Sequence, residues 1–197
     1  MNSVFELMDI ALRLKETPRS GWNKKFPPGH KFSSRKIKKA ESVAAHSFGC
    51  IFLAWLVAEE LGLDPYKLMV MVMLHDLPEF IWKKDIPYES EKGIVRKKMS
   101  AKKELQEFLA INKILEIGGK RGGEIIDILL EFKASKTPEA IAAHEIDKLE
   151  MCFQASRYFK QGGQLKPLEF FETSARVVKN PKLRNIFSKL KKKLNQK

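Results

Sequence analysis

The chain has 197 residues, 44% of them hydrophobic and 31% charged, with 37 Lys and Arg against 24 Asp and Glu for a formal net charge of +13. That balance belongs to an ordinary globular chain long enough to bury a real core, and it excludes a disordered one. Only two cysteines occur, Cys50 and Cys152, both inside apolar runs, which argues against a disulfide framework or a cysteine-based zinc site and suits a reducing, cytoplasmic setting. No uncharged apolar stretch is long enough to span a bilayer, and the N-terminus lacks the basic start of a secretory signal, so no membrane partner is expected. The charge alone admits nucleic acid, a small anionic substrate or a solvated lysine-rich surface.

Ser3-x-x-Glu6 is a capping box that opens a helix with Phe5, Met8 and Leu12 at helical spacing, ending near Thr17-Pro18. Residues 18–40 read as a long loop with Pro18, Gly21, Pro27, Pro28 and Gly29, and its lysine-rich part over 24–39 has Phe26 and Phe32 interleaved. A second helix runs from about Ser42 to Leu61, with Gly62 just beyond its end. Asp64-Pro65 opens a third, whose run Leu68 to Leu74 is apolar on nearly every face and so predicts a helix buried all round. That helix delivers His75 and Asp76 near its C-terminal end. Residues 80–90 form a second irregular stretch with Pro87, and a charged helical region follows over 91–116. Gly118, Gly119, Gly122 and Gly123 are expected to break the chain before a helix over 124–133. Thr137-Pro138-Glu139 opens a long helix to about Phe159, stopped by Gly162-Gly163, and Pro167 and Asn180-Pro181 mark two last helices. No alternating strand pattern and no repeat appears. The expected fold is all-α, one domain over 1–180 with a basic C-terminal helix or tail over 181–197, frayed at its KKLNQK end.

Four polar residues stand where the pattern demands apolar ones. His46 lies on the stripe Val43, Cys50, Leu53 and Val57, where a lone core histidine is more often structural than a ligand. Asp76 follows a fully apolar helix, and burying a carboxylate unpaired costs on the order of several kcal/mol, so it needs a cation or strong donors. Asp147 has Ala143 one turn before it and Met151 one turn after it. With His75, the set is two imidazoles and two carboxylates on three helices. Without thiolates, such mixed N/O ligands suit a divalent Co, Mn, Ni, Fe or Mg ion rather than structural zinc.

The segments LKETPRSGW (14–22), AESVAAHS (40–47), LHDLPE (74–79), DIP (85–87) and EIDKLEMCFQAS (145–156) resemble the HD-domain metal-dependent phosphohydrolases, and within them the 5′-deoxynucleotidase-like branch. The resemblance covers roughly residues 5–180. It implies an HD-domain helical bundle with the metal between central helices, held by His46, His75, Asp76 and Asp147. It also implies hydrolysis of (deoxy)ribonucleoside 5′-monophosphates to nucleoside and phosphate, and a homodimer. Glu79, three after Asp76 and four after His75, would share their face on a continuing helix and serve the attacking water or the leaving 5′-oxygen. Asp85 matches the family's second acidic residue and is expected to share in proton transfer. Arg19 could grip the phosphate bidentately. Trp22 could stack on sugar or base, or simply lid the core. Glu41 and Ser42 match an ES pair expected to cap the histidine helix and to support the ligands from behind. His144 is not expected to be a ligand. The chain departs from the family in Ala45, where an acidic residue is usual, and in the longer gap through Lys84 to Asp85.

Two other readings stay open. One is an HD-type phosphodiesterase or nucleotide triphosphohydrolase on the same metal set. The other is a basic nucleic-acid-binding protein with a structural metal site, which the 24–39 loop favours but which has no need of Glu79 beside the metal.

Overall fold

A computed structural model describes residues 2–23, 25, 33–81 and 94–196. Asp85 and most of the basic 24–39 segment, including Phe26 and Phe32, lie outside the described residues. The helices are α1 (Asn2–Glu16), α2 (Val43–Leu61), α3 (Pro65–Leu74), α4 (Ile94–Ala134), α5 (Pro138–Lys160), α6 (Pro167–Ser174) and α7 (Pro181–Asn195), with short 3-10 turns at Ser20–Trp22 and Leu77–Ile81. Among the described residues there is no strand, only isolated bridges pairing Pro18 with Ser42 and Lys36 with Gln164. The all-α expectation therefore holds.

Local chemistry sets the helix ends. Ser42, Asp64, Thr137 and Asn180 each accept a hydrogen bond from a first-turn backbone N–H of α2, α3, α5 and α7 respectively. Such caps contribute about 1 kcal/mol apiece. Proline begins α3, α5, α6 and α7, where a missing N–H is harmless.

The helices α2, α3 and α5 pack on one another at the centre, α6 and α7 lie against α5, and α1 lies against α2 and α4. One apolar cluster, with Leu53, Val57, Leu68, Met71, Ile146 and Leu149, fills the α2–α3–α5 junction. A second, with Ile10, Leu14, Ile114, Ile126 and Leu129, seals α1 to α4. By length and composition α2 alone, among the described helices, is apolar enough to cross a membrane. Its buried Val43, His46, Cys50, Leu53 and Val57 are instead the inner stripe of a core helix.

The break expected at the glycines is present. Gly119 leaves helical geometry, at φ 51° and ψ −132°, and divides the run Ile94–Ala134 into two helices. The second folds back along the first, which sets Lys133 Nζ 3.0 Å from Glu107 Oε2, and Ile114, Ile125, Ile126 and Leu129 pack in the cluster they share with α1. The expected C-terminal helix forms as α7 and packs into the main core, with Leu183 and Phe187 buried there. Its start is also tied down, with the Asn180 N–H donating to both carboxylate oxygens of Glu145 at 3.2 and 2.9 Å. One expectation changes: α3 gives way at its end to the 3-10 turn Leu77–Ile81 instead of continuing.

Two substitutions should move stability in opposite directions. At Gly119 an alanine must adopt a backbone conformation that L residues disfavour, at a cost of about 1–3 kcal/mol. At Gly123, helical and with open space where a Cβ would stand, alanine should gain up to about 1 kcal/mol. Urea unfolding of Gly119→Ala and Gly123→Ala checks the two signs.

Candidate metal centre

Three helices bring the four predicted ligands to one place. His46 is fully buried in the second turn of α2, His75 and Asp76 come at the end of α3, and Asp147 comes from the middle of α5. His46 Nε2 lies 3.2 Å from Asp147 Oδ1 and 4.0 Å from Asp76 Oδ2. His75 Nε2 lies 3.3 Å from Asp76 Oδ2, and the two imidazole rings meet edge to face at 5.5 Å. The His75 Nδ1–H donates to Val72 O at 2.7 Å, which leaves the Nε2 lone pair facing the cluster. His75 Nε2 and Asp147 Oδ1 are both buried and have no hydrogen-bond partner. Buried polar atoms are rarely left so, and a divalent cation shared by these donors would satisfy both at once. The residues present therefore fit a divalent metal.

Cations guard the carboxylates. Arg19 Nη1 is 2.5 Å from Asp76 Oδ2, and Lys148 Nζ is 2.9 Å from Asp147 Oδ2. Burial works against the charge on Asp76, but the neighbouring His75 and Arg19 outweigh it and hold the carboxyl well below the usual range. For Asp147 burial again opposes, and Lys148 and the neighbouring His46 prevail in the same direction. Asp147 in turn raises the Lys148 ammonium above its ordinary value. Glu41 goes the other way: burial and the nearby Glu150 carboxylate push it up to about 7.

Of the other expected site residues, Ser42 caps α2 through Ala45 N–H at 3.3 Å. Glu41 accepts the Trp22 indole N–H at 3.0 Å, and its backbone N–H donates to the Tyr158 hydroxyl at 2.8 Å. Glu79 is buried on the 3-10 turn, its backbone N–H donating to Asp76 O at 3.0 Å. This i to i+3 bond places Glu79 one 3-10 turn after Asp76, not on a continuing α-helix. The stacking role for Trp22 is corrected. Its ring is 1% exposed, stacked on Phe170 at 4.8 Å and edge-on to Tyr158 at 5.0 Å, so no face is left for a sugar or base. His144 donates from Nε2 to Phe132 O at 2.9 Å and stacks on that ring, outside the ligand set.

Three residues near the centre escaped the sequence reading. Lys148 was hidden beside its ligand neighbour. Glu150, one turn after Asp147, is a charge on a buried face and so carried a readable signal. Cys50 Sγ sits 3.4 Å from His46 Nε2, so one thiol does reach the centre despite the low cysteine count. Burial pushes that thiol up to about 11, which keeps it neutral.

The HD domain family matches residues 11–191. The 5′-deoxynucleotidase HDDC2 of Danio rerio is 27% identical over 191 residues, spanning 96% of this chain and 87% of its own. The 5′-deoxynucleotidase hdd1 of Schizosaccharomyces pombe is 26% identical over 182 residues, spanning 91% and 84%. Among solved structures, a Pyrococcus horikoshii OT3 protein superposes with a TM-score of 0.70 at 27% identity, covering 94% of this chain and 97% of that one. An HD-domain phosphohydrolase from Listeria innocua shares the fold with a TM-score of 0.68 at 17% identity, covering 98% and 90%.

A ligand set of this kind should show itself without any substrate. Co²⁺ at about 100 times its dissociation constant should stabilise the chelator-stripped protein by about 2.7 kcal/mol. The Asp147→Ala variant should lose that stabilisation. Thermal melts with and without Co²⁺ read both outcomes.

Proposed function

The chain belongs to the HD-domain family, and from that premise we propose that it is a metal-dependent phosphomonoesterase releasing phosphate from (deoxy)ribonucleoside 5′-monophosphates. The observation that carries this reading is the convergence of His46, His75, Asp76 and Asp147 on one buried point, with the cations Arg19 and Lys148 on its flank. The name 5′-deoxynucleotidase carried by relatives that match nearly the whole chain supports the substrate class.

The four residues would hold one divalent ion, with Co, Mn, Ni, Fe and Mg all compatible with the N/O donor set. When bound, such an ion supplies a Lewis acid for a phosphoryl oxygen and lowers the pKa of coordinated water. Arg19 offers paired N–H donors that match two phosphate oxygens, and Lys148 adds a compact second charge. Arg19 is held in place by its ion pair to Asp76 and by its backbone N–H donating to Glu41 O at 3.1 Å. Glu79 is the proposed acid–base group, receiving a proton from the attacking water and returning one to the leaving 5′-oxygen. Asp85 is proposed, on its sequence match, as the second carboxylate in that transfer. Free, buried Cys50 and Cys152 suit a reducing cytoplasm.

We also propose a homodimer through α2. Phe48, Phe52, Trp55 and Leu56 follow one another at helical spacing on its outer face, and each is more than half exposed. A contiguous apolar row of that size is characteristic of a protein contact.

The chelator-stripped protein should release free phosphate from nucleoside monophosphates only after Co²⁺ or Mn²⁺ is restored, and Asp76→Ala should abolish the release. Arg19→Ala should lower kcat/KM on the order of 10–100-fold, the cost of a lost charge-assisted hydrogen bond. No phosphate from any nucleotide would refute the reading. Turnover of triphosphates or cyclic nucleotides alone would move it to the sister chemistries. Light scattering should give a dimer for the wild type and a monomer for Phe52→Glu/Trp55→Glu. A monomeric wild type would refute the interface.

A further inference from the structure

Gly49 stands inside α2, three residues after His46 and facing α5, where glycine is among the least favourable helix residues. The space explains it. A Cβ built on Gly49 would lie 2.6 Å from Glu150 Oε1, and 3.0 and 3.1 Å from Glu150 Cγ and Cδ. The Glu150 side chain, reaching over from α5, occupies the place where any other residue would put its first carbon. Its second oxygen, Oε2, lies 2.6 Å from His46 Nδ1, with the two side chains 10% and 0% exposed.

We propose that Glu150 is the positioning residue of the metal centre, accepting the His46 Nδ1–H so that the Nε2 lone pair faces the ion, and that Gly49 is the gap this carboxylate requires. The inference rests on the metal reading of His46, His75, Asp76 and Asp147. A carboxylate oxygen accepts, so the contact selects one imidazole tautomer and one ring orientation. A histidine freed of that contact can flip its ring or present a protonated Nε2, and either outcome removes a ligand. Glu150 reaches the ion only through His46. The ligand Asp147 lies one turn earlier on α5, so a single helix sets both the carboxylate ligand and the group that orients the opposite imidazole.

The test is Co²⁺ titration of the chelator-stripped full chain by calorimetry, with long-range ¹H–¹⁵N spectra of the histidines as a second readout. Wild type should bind Co²⁺ and, metal-free, show proton density on His46 Nδ1. Glu150→Ala should weaken Co²⁺ binding about 10–100-fold and lose that signature. Glu150→Gln keeps an acceptor oxygen and should recover most of the affinity. Gly49→Ala leaves every ligand and Glu150 itself in the chain, yet should weaken Co²⁺ binding to a similar degree by displacing the carboxylate. In the Glu150→Ala background it should add nothing. If Glu150→Ala does not fold, Glu150→Gln and Gly49→Ala decide alone. Wild-type affinity in Gly49→Ala or Glu150→Ala, or additive losses in the double variant, overturns the positioning role and leaves the metal reading standing. A wild type that takes up no Co²⁺ overturns the metal reading, and this inference falls with it.

Discussion

Two carboxylates, Asp76 and Asp147, are held ionised inside a helical core, and the arrangement of the molecule around them answers to that constraint. Burying a charge costs on the order of several kcal/mol unless it meets opposite charge and donors. Here each carboxylate meets one cation and at least one imidazole: Arg19 and His75 for Asp76, Lys148 and His46 for Asp147. The partners come from distant parts of the sequence. The packing of α2, α3 and α5 therefore cannot slip without leaving a buried charge exposed to its full desolvation cost.

The same constraint explains the loop after α1. Arg19 reaches Asp76 only because the loop is pinned at both ends. Pro18 bridges to Ser42, the Arg19 backbone pairs with Glu41, and Trp22 is sunk between Phe170 and Tyr158. Farther along, Arg35 pairs with Glu169 at 3.3 Å and lies 4.3 Å over the Phe170 ring. Trp22 thus serves the site at one remove, by fixing the backbone from which Arg19 extends.

Much of this was legible because it rests on short-range pattern. Caps at Ser42, Asp64 and Thr137 are local chemistry and fell where the sequence put them. His46 and Asp147 were visible as polar breaks in otherwise apolar stripes. What escaped depends on tertiary neighbours. The break over 118–123 was legible, since it falls at Gly119, but the fold-back that sets Lys133 beside Glu107 was not. Trp22 could be read as a stacking face or as a lid on the core, and only Phe170, far along the chain, decides for the lid. The reason for a glycine at 49, inside an apolar helix, appears only with Glu150 lying across it.

Charge then links the fold to the chemistry more closely than the overall excess of +13 suggests. Most of the basic residues say nothing about the site; Lys189, Lys191, Lys192 and Lys193, for example, lie along the terminal helix α7. At the site itself Arg19 and Lys148 match Asp76 and Asp147 one for one. Buried Glu79 and Glu150 add carboxylates beyond those two pairs. Carboxylate therefore exceeds side-chain cation at the bottom of the site, which is the balance that a divalent ion among these donors would correct, and it does so without appeal to the lysine-rich surface.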